Sequence, residues 1–392
     1  MENIFIMQKK DCTGCHACYN ICPTKSIDMK YDKEGFLYPN VNKSKCVNCN
    51  LCNKVCSSIN KNKEIYNHPI SYSCINKDEK IRLNSSSGGI FTLIATYVLE
   101  KKGVVFGVKF DKNFNVVHDY IENIEDLWKF RGSKYTQSKI GITYSEAKKF
   151  LNQGRIVLFT GTPCQIGGLK KFLGKEYDNL ICQDIICHGV PSNFVWDEYK
   201  KIKSKNKQIS SINFRNKDTG WKKFSLRFDY KDGTYDSDTQ IDDYFMKCFL
   251  RDLCLRPSCY SCNYKSIHRK SDITLADFWG VEKVNPKIFD DKGVSIMLIN
   301  SPKGKQIFEE INSKMDYTEV NVDDVVKYNH NAISSVKYPK GRDIFLKKYQ
   351  KKNFEQFVDY CSDYENQTIE KRILRFLSRI KCRARYYLKF NR

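Results

Sequence analysis

The sequence predicts a mixed α/β or α+β fold, with a small cysteine-rich domain first, a larger mixed α/β domain next and a basic helix last. Three observations lead to this prediction. The first sixty or so residues hold eight closely spaced cysteines. The middle of the chain alternates short apolar runs with helical patterns, which is typical of α/β domains. The segment 371–392 contains nine Lys or Arg residues and no acidic residue.

Bulk composition narrows the class of protein. The chain has 392 residues, 41% of them hydrophobic, which is enough for two or three domains. Its net charge of +22 would attract nucleic acid, an anionic membrane or an acidic protein, although a lysine-rich composition also arises without any binding role. No apolar run is long enough for a signal peptide or a spanning helix, so we expect a cytoplasmic protein. In reducing cytosol, eighteen cysteines indicate metal sites rather than disulfides.

Domain boundaries follow from shifts in composition. We predict a cysteine-rich domain at 1–62, a polar linker at 63–70, an α/β domain at 71–340 and a helical extension at 341–392. Apolar residues at helical spacing predict a helix from Gly89 to Lys101. Short apolar or alternating runs predict strands at VVFGVKF, RIVLF, NLICQDII, SINFRNK, KKFSLRFDY and GVSIMLIN.

The N-terminal cysteines form two copies of the spacing C-x2-C-x2-C-x3-C. The first copy consists of Cys12, Cys15, Cys18 and Cys22, and the second of Cys46, Cys49, Cys52 and Cys56. This is the spacing of a bacterial two-cluster ferredoxin, in which the fourth cysteine of each copy binds the other [4Fe–4S] cluster. We therefore assign one cluster to Cys12, Cys15, Cys18 and Cys56, and the other to Cys46, Cys49, Cys52 and Cys22. Structural zinc, the alternative, favours two well-separated cysteine pairs.

Two further features of the cysteine pattern need an assignment. His16 lies between two of these cysteines, and we expect a solvated loop residue or a hydrogen-bond donor that tunes the cluster potential rather than a ligand. Ten cysteines remain, of which five lie in predicted loops: Cys164, Cys187, Cys254, Cys259 and Cys262. The Cys259/Cys262 pair can close a third metal site with two distant partners, and zinc or buried free thiols are the alternatives. Core packing is the better interpretation for most of the single cysteines, Cys74, Cys182, Cys248, Cys361 and Cys382.

A flavin would convert between the one-electron chemistry of clusters and two-electron chemistry. The sequence lacks both G-x-G-x-x-G after a strand and a P-loop, so a different phosphate site is needed. Residues Ser85 to Gly89 run into the predicted helix, where backbone N–H groups favour an anion, although Ser at a helix start is more often a plain N-cap. The segment Arg131 to Tyr135 is a second candidate, with a solvated charged turn as the alternative.

The order of SSSGGIF, RGSKY, TGTPCQIGGLKKFL, CHGVPS, LCLRPSCYSC and DITLADFWG resembles the coenzyme F420 hydrogenase/dehydrogenase beta-subunit family, in its bacterial form with an N-terminal ferredoxin domain. The resemblance covers roughly residues 5 to 300. It implies an iron–sulfur flavoprotein oxidoreductase in which FAD exchanges a hydride with an acceptor or donor and electrons with the clusters. Archaeal relatives show QDGG where this chain has SSGG. Bacterial members of the family are often associated with surface-polysaccharide assembly.

The resemblance also implies site residues. It assigns a third [4Fe–4S] cluster to Cys164, Cys187, Cys259 and Cys262, with Cys254 as a spare thiol or a replacement for Cys187. It assigns FAD to Ser86, Ser87, Gly88, Gly89, Gly132, Ser133, Lys134 and Tyr135. His188 would transfer a proton as a catalytic residue or donate a hydrogen bond to a cluster sulfur. Asp277 and Trp279 would line the site, or form a buried turn packed by Trp279.

Partners are the last expectation. The main hypothesis is an enzyme with a redox partner protein or a small-molecule hydride donor or acceptor, and the alternative is a non-enzymatic electron-transfer subunit that feeds a partner protein. Residues 371–392 place apolar side chains on one helical stripe among basic ones, as a helix at an anionic membrane surface requires. A terminal helix docked on its own domain is the alternative there, and nucleic acid is the least favoured partner.

Overall fold

The computed structural model describes residues 8–60 and 67–364. Its strands are β1 (Ile27–Tyr31), β2 (Leu37–Val41), β3 (Ile70–Asn76), β4 (Val104–Phe110), β5 (Val116–Ile121), β6 (Val157–Thr160), β7 (Leu180–Ile185), β8 (Ile209–Asn216), β9 (Ser225–Tyr230), β10 (Tyr235–Thr239), β11 (Ile273–Asp277), β12 (Ser295–Ile299) and β13 (Met315–Val320). Its α-helices are α1 (Ala17–Ile21), α2 (Leu51–Lys54), α3 (Glu79–Leu83), α4 (Ile90–Glu100), α5 (Thr143–Asn152), α6 (Pro163–Leu173), α7 (Asn193–Ser204), α8 (Tyr244–Leu250), α9 (Val281–Val284), α10 (Pro302–Ile311), α11 (Val322–Tyr328), α12 (Arg342–Lys348) and α13 (Phe354–Ser362).

The cysteine-rich domain is built from two similar halves. In each half a cysteine loop leads into a short helix, α1 or α2, and β1 pairs antiparallel with β2 beside them. The residue before each helix has the left-handed backbone conformation: His16 has φ 61° and Asn50 has φ 60°. The repeated cysteine spacing therefore folds into a repeated loop-to-helix turn.

The main domain is organised around an eight-stranded sheet of order β13-β3-β12-β11-β7-β6-β4-β5. Its centre, β11-β7-β6-β4, is parallel, and antiparallel strands flank it on both sides. Helices α4 and α10 pack on one face around Ile94, Val98 and Phe308, and α5 and α6 pack on the other face. Because parallel strands are covered on both faces, every residue of β6 and β7 except Ile185 is buried, including the polar Thr160, Gln183 and Asp184.

A second core lies between the three-stranded sheet β10-β9-β8 and helices α7, α8, α12 and α13. Trp196 of α7 is its largest buried side chain, and Phe345 and Phe357 reach it from the C-terminal segment. The segment predicted as a separate extension, 341–392, thus contributes its described part, residues 341–364, to the core of the main domain.

The cysteine-rich domain is docked on the main domain through buried contacts. Ala17 and Val55 join the core that includes α5 and α6. Arg342 of α12, almost fully buried, binds the carboxylate of Glu34 at 2.6 Å. Arg256 has no solvent exposure and donates to the carbonyl oxygens of Cys12 at 2.6 Å and Leu37 at 3.0 Å. Charged groups buried this way need such partners, so the two domains are fixed to one another.

The predicted mixed α/β fold is confirmed, and so is each named strand and the helix after Gly89, which runs from Ile90 to Glu100. None of the described helices is long and apolar enough to cross a lipid bilayer. The basic stripe at 371–392, Cys382 and most of the predicted linker lie outside the described residues.

Candidate iron–sulfur and flavin site

The structure places four ferredoxin-type cysteines around one small cavity. They are Cys12, Cys15, Cys18 and Cys56, the set predicted from the spacing. Burial raises the pKa of Cys15 to about 11 and that of Cys18 well above its usual range, and the neighbouring thiols of the cavity raise both further. Without a metal, these buried thiols keep their protons, because their thiolates would repel one another. A bound cluster would stabilise the thiolates, because iron takes the place of the protons. We call this set the inner cysteine group.

His16 borders the same cavity and differs from the solvated residue considered in the sequence. It is 2% exposed, and burial lowers its pKa to about 3, so its ring is neutral. Within the described residues its Nδ1 has no hydrogen-bond partner. A solvated loop residue is therefore the wrong description, and a group held beside the cluster position is the right one.

The remaining four ferredoxin-type cysteines lie nearer the surface. Cys49 is exposed, and Cys22, Cys46 and Cys52 are half-buried. The thiols of Cys49 and Cys22 both raise the pKa of Cys52, after burial as the main cause, so these side chains share one neighbourhood. Cys22 Sγ contacts Ser26 Oγ at 3.1 Å and accepts from the Ser26 N–H at 3.3 Å. We call Cys22, Cys46, Cys49 and Cys52 the outer cysteine group.

A third group of four cysteines meets inside the main domain. A small cavity is lined by Cys164 in the first turn of α6, by Cys187 in the loop after β7, and by Cys259 and Cys262 in and directly after the 3-10 helix Pro257–Ser261. Burial raises the pKa of Cys187 and Cys259 to about 12, and other thiols of the cavity add to the shift. In the described residues no three His, Cys, Asp or Glu side chains converge on a single ion position. A cubane cluster does not need that convergence, because each of its irons takes one thiolate.

Cys254 lies elsewhere, in the second core. It is fully buried beside Cys248, whose pKa its thiol raises, and Cys361 is the next thiol in the same neighbourhood. The family resemblance allowed Cys254 as a spare thiol or as a replacement for Cys187, and Cys254, which follows α8 along the chain, is packed in the apolar core. The structure thus groups Cys187, and not Cys254, with the other three cysteines.

Helix α6 connects the third cysteine group with the inner cysteine group. Its start is fixed by a capping box, in which Thr162 and Gln165 exchange hydrogen bonds, and this holds Cys164 at the first turn. One turn later, a Cβ on Gly168 would stand 3.0 Å from Cys15 Sγ. A Cβ on Gly167 would stand 2.5 Å from the Tyr264 ring. Gly168 allows the ferredoxin-type domain to approach α6 closely, and Gly167 leaves room for Tyr264.

An open cleft of about 1520 Å³ lies beside the third cysteine group. Cys187, His188, Gly189 and Val190 line both the cleft and the cysteine cavity. The cleft is larger than the usual ligand pocket of 300 to about 1,000 Å³. It therefore has room for a dinucleotide-sized cofactor and a second molecule.

The two segments predicted to bind FAD meet one another near this cleft. Ser86 Oγ accepts hydrogen bonds from the Ser133 N–H at 2.6 Å and from Ser133 Oγ at 2.9 Å. Lys134 and Tyr135 line the cleft itself, and burial lowers the pKa of Lys134 to about 7. Tyr135 stacks on Phe249.

The glycine-rich part of the predicted FAD site is already engaged within the protein. The Gly88 N–H donates to Ser295 Oγ at 2.9 Å, and Ser87 Oγ donates to the Val294 carbonyl at 2.7 Å. Gly89 caps α4 with φ 83°, and Gly132 has open space where a Cβ would be. The cleft thus offers Lys134 and Tyr135 directly, whereas Ser87 and Gly88 support the loop that carries Ser86.

His188 lies at the junction of the cleft and the cysteine cavity. Its Nε2 is 2.7 Å from Asp252 Oδ1, and its Nδ1 is 3.0 Å from Asn331 Nδ2. With the Asn331 amide as donor, the ring proton lies on Nε2 and is donated to Asp252. Sequence reasoning missed Asp252 and Asn331, because both are distant from His188 along the chain.

Asp277 and Trp279 both line the cleft. The Asp277 carboxylate binds Arg215, which is buried, at 2.5 and 3.0 Å, and accepts from Trp221 Nε1 at 3.0 Å. Trp279 stacks on Trp221 with a ring separation of 5.0 Å. The two sequence interpretations, a cleft wall and a packed turn, therefore describe the same segment.

The C-terminal segment supplies another wall of the cleft. Gln356, Asp359, Tyr360 and Ser362 of α13 line it. This wall could not be predicted, because the amphipathic pattern of α13 indicates packing but not the surface on which the helix packs.

Comparisons with known proteins identify which segments of the chain match known families. Residues 11–59 match the family model of a 4Fe-4S dicluster domain. Residues 71–141 match the N-terminal model, and residues 154–325 the C-terminal model, of the coenzyme F420 hydrogenase/dehydrogenase beta subunit. No curated protein matched the sequence. Among solved structures, a chain of the F420-reducing [NiFe] hydrogenase complex from Methanosarcina barkeri is similar, with a TM-score of 0.45 and 15% identity over 68% of this chain and 90% of that chain.

Both beta-subunit models match in order, the C-terminal match includes the third cysteine group, and the dicluster match covers both N-terminal cysteine motifs. The protein is therefore related to iron–sulfur oxidoreductases through every segment that carries a cysteine group. The chain belongs to the coenzyme F420 hydrogenase/dehydrogenase beta-subunit family and carries an N-terminal 4Fe–4S dicluster domain.

Proposed function

We propose that the protein is an iron–sulfur flavoprotein oxidoreductase that couples hydride transfer in the cleft to one-electron transfer through three [4Fe–4S] clusters. The observation that carries the proposal is the shared wall of Cys187, His188, Gly189 and Val190 between the cleft and the cysteine cavity. Groups that exchange electrons must lie close together, and this wall is one loop thick. The surface-polysaccharide role implied by the family resemblance stays a prediction.

The cysteine groups form a continuous series. The outer group is followed by the inner group, which Gly168 brings against α6, and α6 begins at Cys164 of the third group. Cys164 and Cys15 are close enough that the Cys15 thiol raises the Cys164 pKa, after burial and nearer thiols. The third group then borders the cleft. Four thiols at each position fit one cubane each.

FAD bound in the cleft would supply two-electron chemistry with a substrate and one-electron chemistry with the clusters. Lys134 Nζ, which donates to the carbonyl oxygens of Arg131 and Gly132 at 3.1 Å, lines the cleft, and a phosphate or another anionic part of the cofactor would hold it in the charged form that burial disfavours. Tyr135 and Phe249 form a stacked aromatic wall for a ring system. His188, oriented by Asp252 and Asn331, is placed to hold or move a proton at Nε2.

An iron and flavin count on anaerobically prepared protein tests the proposal. Three cubanes give about twelve iron atoms per chain, and FAD gives one flavin. Replacing Cys259 and Cys262 with Ser should lower the iron to about eight, whereas Cys254→Ala should leave it unchanged. A wild-type count of about eight contradicts the third cluster, and protein isolated gently without flavin contradicts the enzyme. If only an added protein reoxidises the flavin and no small molecule does so, the chain is an electron-transfer subunit instead.

A further inference from the structure

The outer cysteine group is the point at which the series of cysteines reaches solvent. Cys49 is the one exposed cysteine among the described residues, whereas the cysteines of the inner and third groups are buried or half-buried. Val47, between two outer cysteines, is 63% exposed. An electron that leaves the chain towards another protein therefore has its shortest exit here.

Positive charge predominates around this exit, although the exposed Asp28 lies three residues after Lys25. Lys25, Lys43, Lys45 and Lys54 are all exposed, and no acidic residue occurs between residues 35 and 60. Several lysines elsewhere are paired with carboxylates, as in Lys203 with Asp238 and Lys222 with Glu282, each at 2.6 Å, whereas none of these four lysines has a salt bridge among the described residues. We call Lys25, Lys43, Lys45, Lys54 and Val47 the outer-cluster surface.

We propose that the outer-cluster surface docks a small acidic one-electron carrier protein. Four positive charges favour encounter with a negatively charged partner, and the exposed Val47 side chain offers a small apolar contact from which water is excluded. The proposal rests on the proposed function, since the electrons that cross the surface come from or go to the cleft. At each encounter the outer cluster loses one electron and the carrier gains one, or the reverse. One hydride in the cleft, which carries two electrons, therefore matches two encounters.

Other polyanions are less suited to this surface. A membrane or a nucleic acid would be attracted to the same lysines, but neither needs them to surround an exposed cluster position. A redox protein needs to bind close to the cluster position, because the rate of electron transfer falls as the distance between the two redox groups increases.

The experiment compares two triple variants of the full chain, both prepared anaerobically. Lys43→Glu/Lys45→Glu/Lys54→Glu changes the outer-cluster surface. The control, Lys112→Glu/Lys287→Glu/Lys305→Glu, changes the net charge equally at exposed positions away from the cysteines. The probes are a flavodoxin, which is acidic and free of iron, and cytochrome c, which is basic. Stopped-flow absorbance gives the rate of electron exchange, and NMR line broadening of isotope-labelled flavodoxin gives binding.

We expect the first variant to lower the flavodoxin rate and affinity about tenfold or more at low salt, and the control to change them less than about twofold. The wild-type rate should fall steeply as salt rises. Cytochrome c should react as fast or faster with the first variant, which shows that its outer cluster is intact. Equal losses in both variants, no loss in the first, or no exchange between wild type and flavodoxin would each overturn the proposal.

Two further readouts separate this proposal from others. Iron and flavin counts report on the proposed function independently, because a missing flavin or third cluster would leave flavodoxin binding to the outer-cluster surface intact. Sedimentation with anionic vesicles and titration with duplex DNA test the other polyanions. If the first variant loses binding to either of them but keeps its flavodoxin rate, the surface does not serve a redox protein.

Discussion

Gly168 lies against Cys15, so that a Cβ on Gly168 would stand 2.8 Å from the Cys15 Cβ and 3.0 Å from its Sγ. Gly168 belongs to α6 of the main domain, and Cys15 belongs to the inner cysteine group. Glycine in the middle of a helix costs about 1 kcal/mol relative to alanine. Its presence here is explained by the close approach that it permits between the two domains.

We expect Gly168→Ala to be unfavourable even though alanine favours the helix. The added methyl group must displace Cys15, and overpacking of a core typically costs about 1–3 kcal/mol. The thermal unfolding midpoint should fall, and the EPR spectrum of the reduced inner cluster should change. Lys171→Ala, on the same helix, serves as the control. An unchanged midpoint and spectrum in Gly168→Ala would show that the two domains do not need this approach.

The buried Arg256 guanidinium is expected to be essential for domain docking. It donates to Cys12 O, Leu37 O and Gln137 Oε1, and it lies over the Tyr38 ring at 4.3 Å. Arg256→Leu leaves these three acceptors buried without a donor. An unsatisfied buried acceptor costs about 1–3 kcal/mol, and water that enters the site relieves part of this cost. We therefore expect a total loss of stability of roughly 3–5 kcal/mol. The unfolding midpoint should fall by several degrees, and iron should be lost from the inner group first.

A surface arginine gives the matched control for Arg256. Arg155 pairs with Glu122 at 2.5 Å, and both side chains are partly exposed. Exposed pairs of this kind contribute about 0–1 kcal/mol. Arg155→Leu should therefore leave the midpoint and the iron content close to those of the wild type. If the two variants behave alike, Arg256 does not hold the domains together.

The sequence was sufficient for features that depend on local spacing. The cysteine repeat predicted the crossed inner and outer groups, and the apolar pattern predicted the helix after Gly89, because spacing along the chain fixes which side chains share a loop or a helix face. It could not decide whether Cys254 replaces Cys187, since only the packing of the folded chain shows that Cys254 enters the apolar core and Cys187 lines the cysteine cavity.

Long-range packing accounts for what the sequence did not predict. Arg256 appears in the printed sequence as one more cation in a basic chain, and its burial depends on carbonyl groups supplied by the ferredoxin-type domain. Asp252 and Asn331 reach His188 from separate segments. The position of Arg256 between two cysteines in LCLRPSC was the one hint in the sequence that this arginine is not an ordinary surface cation. Nothing in the spacing identified its hydrogen-bond partners.

Lys134 should make stability depend on pH in a definite direction. Burial lowers its pKa from the ordinary value near 10.5 to about 7. Between these values the unfolded chain binds a proton at Lys134 that the folded chain does not, so stability rises as pH rises from about 7 to about 10. Below pH 7 both states are protonated, and the full cost of the buried ammonium is present.

Lys134→Met removes the cost of burying the ammonium. The thermal midpoint of the variant should therefore exceed that of the wild type most at pH 6.5, and this difference should shrink steadily towards pH 10. Cofactor-free protein is used for the measurement, because an anionic ligand would hold the ammonium charged. Lys287→Met, at an exposed position, corrects for the loss of one lysine. A difference between wild type and Lys134→Met that stays constant with pH would show that the ammonium is solvated.

Tyr264 lies between two of the cysteine groups. Its ring contacts α6 at Gly167, and the thiols of Cys15 on one side and Cys164 and Cys262 on the other raise its pKa, after burial as the main cause. The phenol therefore stays protonated and keeps its O–H donor. Among the described residues Tyr264 Oη makes no hydrogen bond of ordinary geometry, although the Ser57 side chain faces it. A sulfur of a bound cluster is the acceptor that such a buried donor lacks.

Hydrogen bonds to cluster sulfurs stabilise the reduced, more negative state and so raise the reduction potential. We expect Tyr264→Phe to lower the midpoint potential of the inner or the third cluster, with a tenfold change in the reduction equilibrium corresponding to about 59 mV for one electron. Redox titration followed by EPR measures the shift, and the iron count should stay at its wild-type value. Tyr260→Phe is the control, because the Tyr260 hydroxyl already donates to the Asp252 carbonyl oxygen at 2.5 Å. If both variants leave every midpoint potential unchanged, the Tyr264 hydroxyl points away from the clusters and Ser57 is its true partner.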